Sequence, residues 1–246
     1  MVELVPLGSA IVAGVFAVTL ARQYRSRRRL HQLIWTVSMV LFSLATFLEF
    51  VMSVVTVTGP LFDFYYLLIG PETGLLGAGV VYLMKPRLGK YVLYVVIALS
   101  ACLVVSVAVW PVNLSGLVAG LSPPATYQQE FQSSVPNAIS YAVSAFAAVP
   151  RGITMVLSVA GAILVVGGGI LSFVLDRRRT YALVIALGAL MDAVGGILLG
   201  IFGDPEVFFS FEFLGIVFLF LGFLMSSRGV FKTPPVQGGQ TAAGTT

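Results

Sequence analysis

The sequence has very little of the chemistry on which most metalloproteins depend. It contains one cysteine, Cys102, and one histidine, His31, in 246 residues. A single cysteine excludes an intrachain disulfide and a thiolate metal cluster. A single histidine argues against a haem held by paired histidines and against a histidine-ligated zinc. We therefore expect no bound cofactor.

Charge is also scarce. Charged residues make up 10% of the chain and hydrophobic residues 58%, and the mean hydropathy is +1.00. Soluble domains carry roughly 25% charged residues, so this chain has too few charges to cover a water-facing surface. The composition predicts an integral membrane protein of the cell membrane, whose first partner is the lipid bilayer.

Seven apolar stretches are long enough to cross a bilayer, which requires about 20 residues of helix. They are 4–22, 31–55, 61–84, 89–110, 150–175, 180–202 and 206–226. The first stretch follows Glu3 and carries its positive charges after it, which favours a retained helix over a signal peptide. The sequence thus predicts an all-α fold, a polytopic bundle of seven transmembrane helices within residues 1–230.

Positive charges lie on one side of this arrangement. In an alternating seven-span topology, thirteen of the fourteen lysines and arginines share a side, and Arg151 is the exception. Cytoplasmic segments of membrane proteins carry an excess of lysine and arginine. We therefore predict an external N-terminus and a cytoplasmic C-terminus, and we interpret the arginine runs as membrane-flanking residues that do not contact nucleic acid.

Two segments lie outside the spans. Residues 111–149 form a long external connection, in which 137–149 is compatible with a helix lying at the interface or with an ordered loop. Residues 231–246 are small, polar and rich in proline and glycine, which predicts a disordered cytoplasmic tail.

Spans 1–3 and 5–7 share a layout. Spans 1 and 5 end in the arginine runs RSRRR and DRRR, and spans 3 and 7 begin with GPLFDFYY and GDPEVFFSF. A single spacer span keeps both triplets in the same orientation, as a parallel repeat requires. The layout is compatible with a 3+1+3 duplication, although any two three-helix units share a similar hydropathy.

Four carboxylates lie inside predicted spans, namely Glu49, Glu72, Asp192 and Glu212. Ionisable groups inside a bilayer are costly, so they usually face the bundle interior and mark a site. From the rise of about 1.5 Å per residue, Glu72 and Asp192 lie near the midplane, and Glu49 and Glu212 lie nearer the outer face. We predict that the four side chains converge in a protein-lined space beneath the external surface.

Local sequence adds two expectations about these acids. Glu72 follows Pro71 in IGPETG, and a Gly-Pro break at this depth frees carbonyls that interior groups or an ion must satisfy. Asp192 continues a stripe of small residues, Gly188, Gly196 and Gly200, which predicts close packing of the sixth helix against its neighbours.

Three chemistries fit such a cluster. Hard cations such as Ca²⁺, Mg²⁺ or Mn²⁺ bind carboxylate and carbonyl oxygens, and buried carboxyl groups relay protons. A cationic organic ligand would lie against the acids and the aromatic rings of Tyr65 and Tyr66. Arg151 is either the counter-charge of the cluster or an interface arginine that reaches lipid headgroups. The structural alternative is that each acid is neutral or paired and only fixes helix packing.

Two stretches carry a family resemblance, HQLIWTVSMVLFSLATFLE at 31–49 and FDFYYLLIGPETGLLGAGVVYLM at 62–84. They resemble uncharacterised prokaryotic seven-helix membrane proteins and, more distantly, the seven-helix sensory region that precedes some histidine kinases. The resemblance implies a sensory role. Since no kinase or other output domain is expected in this sequence, such a sensor would signal through a separate membrane protein partner.

Three hypotheses about function remain open. The first is a non-catalytic, sensor-like binder of a small ligand or cation; the others are a small cation- or proton-coupled transporter and an accessory subunit of a larger membrane complex. Retinal chemistry is excluded because Lys85, Lys90 and Lys232 all lie at the cytoplasmic edge. We do not expect an enzyme, since no histidine lies inside a span to activate a nucleophile or bind a metal.

The predicted orientation is testable with single-cysteine variants of the Cys102→Ser protein in intact cells. A Ser133→Cys residue, in the predicted external connection, should react with a membrane-impermeant maleimide. An Arg178→Cys residue, between the fifth and sixth spans, should react only after the cells are permeabilised. The opposite labelling pattern would contradict the orientation.

Overall fold

The computed structural model describes residues 4–54, 58–111, 148–202 and 205–229, and these residues contain seven α-helices and no strand. The helices are α1 Val5–Arg27, α2 Leu30–Val54, α3 Gly59–Met84, α4 Pro86–Val109, α5 Ala148–Leu175, α6 Thr180–Phe202 and α7 Pro205–Gly229. All seven include a stretch long and apolar enough to cross a membrane. For this part of the chain the predicted all-α fold, with seven helices long and apolar enough to span a membrane, is confirmed.

Each predicted span coincides with one helix, and the ends differ by a few residues. The largest difference is in α1, which continues through the arginine run to Arg27. Because arginine is a good helix former, the helix continues beyond its apolar stretch. It ends where the Arg28 amide donates to the Tyr24 carbonyl oxygen at 2.7 Å. The predicted tail and nearly all of the predicted external connection lie outside the described residues.

Six of the seven described helices form a closed ring. In the order α1, α2, α3, α5, α6 and α7, each helix packs against the next, and α7 packs against α1. The remaining helix, α4, packs outside the ring against α3 and α5. We call the end of the ring that carries Arg27 and Arg178 the arginine end, and the opposite end, where α1 begins, the distal end.

An apolar core fills the ring from its middle towards the arginine end. All six ring helices contribute to it, whereas α4 does not; its buried residues are Ala13, Phe16, Ala17, Leu20, Met39, Phe42, Val80, Val165, Ala189, Ile216, Leu219 and Phe223. The Phe16 ring packs against those of Phe220 and Phe223, with centroids 5.1 and 5.0 Å apart. Since lipid is as apolar as these side chains, close packing rather than burial from water stabilises this core.

Glycines allow the helix backbones to approach one another closely. A Cβ atom placed on Gly77 of α3 would lie 2.8 Å from the carbonyl oxygen of Gly161 on α5. Likewise, a Cβ atom on Gly188 of α6 would lie 2.6 Å from the carbonyl oxygen of Gly215 on α7. Neither contact could accept even a methyl group without movement of a backbone, so glycine is required at both positions for this packing.

The predicted small-residue stripe of α6 is only partly correct. Gly188 contacts α7, but Gly196 is exposed and a Cβ atom there would have no neighbour within 4 Å. Gly195 packs instead, where a Cβ atom would lie 2.8 Å from Cβ of Phe211. An α-helix has 3.6 residues per turn. Gly195, seven positions after Gly188, therefore returns to the face of Gly188, whereas Gly196, eight positions after it, is rotated away.

The backbone contact between α3 and α5 can be tested with two alanine substitutions on the same helix. Gly161→Ala should destabilise the protein by about 1–3 kcal/mol, because the new methyl group would collide with the backbone of α3 at Thr73 and Gly74. Gly167→Ala, at an exposed position with no neighbour within 4 Å, should be neutral or stabilising by up to about 1 kcal/mol. Reversible unfolding in mixed micelles measures both, and equal effects would contradict the packing.

Candidate functional site

The four acidic residues inside the spans come from four different helices of the ring. Glu49 lies on α2, Glu72 on α3, Asp192 on α6 and Glu212 on α7. Glu49, Glu72 and Glu212 are 5%, 7% and 5% exposed, and Asp192 is partly buried. Every one of the four carboxyl groups interacts electrostatically with the other three. The structure therefore brings the predicted acids together, and we call these four side chains the carboxyl cluster.

Tyr65 fixes the orientation of the Glu49 carboxyl group. Its hydroxyl donates a hydrogen bond to Glu49 Oε1 with an oxygen–oxygen distance of 2.5 Å, which is at the short end of the range for a hydroxyl and a carboxyl group. Tyr65 is itself buried and packs against Phe62, with ring centroids 5.7 Å apart. Because α2 and α3 are neighbours in the ring, this bond joins two adjacent walls of the cluster.

Glu49 and Glu212 form a carboxyl pair. The Oε2 atoms of both residues are buried, and neither has a conventional hydrogen-bond donor. The two carboxyl groups nevertheless lie within hydrogen-bonding reach of each other. Two ionised carboxylates would repel one another here, whereas one proton between them makes a charge-assisted hydrogen bond. The pair is therefore a ready-made site for one proton.

Glu72 is held within a continuous helix, so the predicted Gly-Pro break is wrong. The helix α3 runs through Pro71 from Gly59 to Met84. Two side chains of α2 donate to its carbonyl oxygens beyond the proline, Ser38 Oγ to Glu72 O at 2.7 Å and Trp35 Nε1 to Leu76 O at 3.2 Å. These two bonds attach α2 to α3, whereas the carbonyl oxygen that loses its amide partner to the proline is that of Leu67, four residues earlier.

The side chain of Glu72 has a local partner that the sequence did not reveal. Thr73 Oγ1 donates to Glu72 Oε1 at 2.5 Å. Adjacent residues of a helix do not usually face one another, so this contact could not be read from residue spacing. The Glu72 carboxyl group also interacts electrostatically with Asp192 and Glu49.

Asp192 reaches the cluster because α6 and α7 are so close. A Cβ atom on Gly215 would lie 3.3 Å from Cβ of Asp192. Gly215 lies about one helical turn from Glu212 on α7, so the missing side chain at this position leaves the room that Asp192 occupies beside Glu212. A larger residue at 215 would separate these two acids.

Tyr66 lies on α3 and Arg151 on α5, two helices that are neighbours in the ring. Arg151 is exposed, and its charge reaches the hydroxyl of Tyr66. Tyr66 is buried and stacks on Phe62, with centroids 6.4 Å apart and planes at 29°. In the part of the chain that the structure describes, the main electrostatic interactions of the four carboxyl groups involve no lysine or arginine. A role for Arg151 as their counter-charge stays a prediction.

The geometry also bears on the type of cation. Within the described ranges, no three aspartate, glutamate, histidine or cysteine side chains form a group that could hold a metal ion. Ca²⁺ requires six to eight oxygen ligands around one point. The carboxyl cluster therefore fits a proton or a small organic cation better than it fits a hard metal ion.

Comparisons of this chain with protein-family models, with curated proteins and with solved structures found no match. The resemblance to prokaryotic seven-helix sensory proteins therefore stays a prediction. The function has to be argued from the carboxyl cluster itself.

The bond between Tyr65 and Glu49 can be tested by removing one hydroxyl group. Tyr65→Phe should destabilise the protein by about 1–3 kcal/mol, because a buried carboxyl group loses its donor. Tyr94→Phe is the matched control, since Tyr94 is 64% exposed on α4, and it should change stability by less than about 0.5 kcal/mol. Unfolding in mixed micelles measures both; similar losses would mean that the Tyr65 hydroxyl is not bonded in the interior.

Proposed function

We propose that this chain is a non-catalytic, sensor-like membrane protein that binds a small cation, either a proton or a small organic ammonium ion, in its carboxyl cluster. One observation carries the proposal: within the described residues, four buried or partly buried carboxyl groups interact mainly with one another and with no lysine or arginine. A charged group removed from water requires a partner of opposite charge, and otherwise it becomes neutral. Either outcome requires a cation.

The proposal includes an orientation. With the N-terminus outside and the C-terminus in the cytoplasm, as the positive charges indicate, the distal end of the ring faces outward. The carboxyl cluster then lies in the outer part of the ring, and the apolar core separates it from the cytoplasm. A cation would reach the cluster from outside, as a sensor of external conditions requires.

The ring order supports a 3+1+3 repeat as part of this proposal. Exchanging the triplet α1–α3 with the triplet α5–α7 leaves the order of helices around the ring unchanged. The spacer α4 lies outside the ring. This position fits a helix whose role is to return the chain across the membrane, so that both triplets have the same orientation. Each triplet contributes two acids, Glu49 and Glu72 from the first and Asp192 and Glu212 from the second.

A transporter would use the same acids, but the structure gives it less support than a sensor. The discontinuous helix that would supply free carbonyls to a coupling ion is replaced by a continuous α3. The accessory-subunit hypothesis assigns the acids to packing alone. A sensor that signals through a membrane protein partner would co-purify with it, as an accessory subunit would, so co-purification alone fits both hypotheses equally.

The proposed function predicts that the carboxyl cluster takes up protons or ammonium ions. In nanodiscs, infrared difference spectra of the wild-type protein should show protonated carboxyl bands that change with pH, or that shift when methylammonium or tetramethylammonium is added. Asp192→Asn should reduce these signals because it removes one member of the cluster. Asp176→Asn should not, because Asp176 lies in the α5–α6 turn, paired with Arg179.

Three outcomes separate the hypotheses. Signals that respond to neither pH nor ammonium would contradict the proposal and favour packing. Uptake of protons or ammonium ions by proteoliposomes would establish a transporter. Binding without flux would support the sensor, with a stabilisation of about 2.7 kcal/mol when the ion is present at a hundred times its dissociation constant.

A further inference from the structure

The Glu49–Glu212 pair joins helices that are not neighbours in the ring. Glu49 belongs to α2 and Glu212 to α7, and α1 lies between these two helices in the ring order. Both residues lie in the distal half of their helices. The pair therefore bridges the interior of the ring, between the first three-helix unit and the second.

We propose that a single proton shared by Glu49 and Glu212 holds α2 and α7 together at the distal end, and that loss of this proton lets the two helices separate there. This inference rests on the proposed function, because it assigns a regulatory step to the same carboxyl cluster. The separation would open the distal end of the ring to the outside.

The unpaired oxygens support this mechanism. Oε2 of Glu49 and Oε2 of Glu212 are both buried and have no other donor, so a proton between the carboxyl groups is the interaction that satisfies them. Without it, two anions remain in contact in a site that excludes water. Movement of α2 away from α7 relieves the repulsion and hydrates both carboxylates.

Other ionisable groups lie on the helices that surround the pair or towards the same end of the ring. They are Tyr65, Glu72 and Asp63 on α3, Asp192 on α6 and Glu206 on α7, while the described part of α1 at this end has none. Tyr65 donates to Glu49 whether or not the proton is present. Negative charge on the neighbouring acids favours retention of the shared proton and adds to the repulsion between the two carboxylates once that proton is lost, while Arg151 of α5 acts on Tyr66.

The helices are held differently at the two ends of the ring. The apolar core anchors the half of the ring towards the arginine end. At the distal end, α1 meets α7 through Gly8 and the Phe213 ring, which would lie 3.2 Å from a Cβ atom on Gly8. A ring at the end of a side chain yields more readily than the backbone contacts between α6 and α7.

Distance measurements between spin labels test the proposal in full-length protein in nanodiscs. Labels are attached at Phe47→Cys on α2 and Leu214→Cys on α7, both exposed positions, in the Cys102→Ser background. We expect a short, narrow distance distribution at acidic pH and a longer one as the pH rises. Labels at Phe47→Cys and Phe64→Cys, within the first unit, serve as the control and should show no change.

Glutamine variants identify the responsible pair. A glutamine amide donates a hydrogen bond without titrating, so Glu212→Gln should keep the α2–α7 distance short at every pH. Glu49→Gln is the second variant, should the first not fold by circular dichroism. A wild-type distance that ignores pH, or a pH response that persists in the folded glutamine variant, would overturn the proposal.

Infrared spectra of the same labelled samples separate this inference from the proposed function. If protonated carboxyl bands are absent or do not respond to pH or ammonium ions, both proposals fail. If a carboxyl band titrates and Glu212→Gln removes it while the distance stays fixed, the cluster binds a proton and only the separation of the helices is wrong.

Discussion

A carboxyl group in the interior of a membrane bundle has no water to stabilise its charge, and this constraint shapes the distal part of the ring. The energetic penalty is met by a proton, by a cation or by hydrogen-bond donors. Here the described donors are few, chiefly the hydroxyls of Tyr65 and Thr73. Four acids share one region with only these described donors, and this is the basis of our proposal that the cluster takes up a positive charge.

The rest of the ring serves to hold these acids together. Backbone contact between Gly188 and Gly215 brings α6 against α7 and places Asp192 beside Glu212. On the other side, Ser38 and Trp35 attach α2 to the carbonyl oxygens of α3 and so set the register that joins Glu49 to Tyr65. The apolar core beneath is rigid because its helices interdigitate rather than because lipid expels them.

Much of this arrangement could be predicted from the sequence, because the bilayer restricts what a chain can do. The scarcity of charge and the seven apolar stretches give seven helices, and the cost of Glu72 and Asp192 at mid-span indicates that they face inward. The details that could not be predicted from the sequence depend on contacts between helices. The helix α3 continues through Pro71 and is attached to α2 by Ser38 and Trp35, and the pairing of Glu49 with Glu212 depends on a ring order that the sequence does not encode locally.

The most direct test of the account is solid-state NMR of the protein in bilayers, with ¹³C-labelled glutamate carboxyl groups. The account predicts a through-space correlation between the Glu49 and Glu212 carboxyl carbons, with at least one of them at the chemical shift of a protonated acid. Two separate carboxylate signals, without a correlation and both at the ionised position, would contradict the claim that these side chains meet over a shared proton.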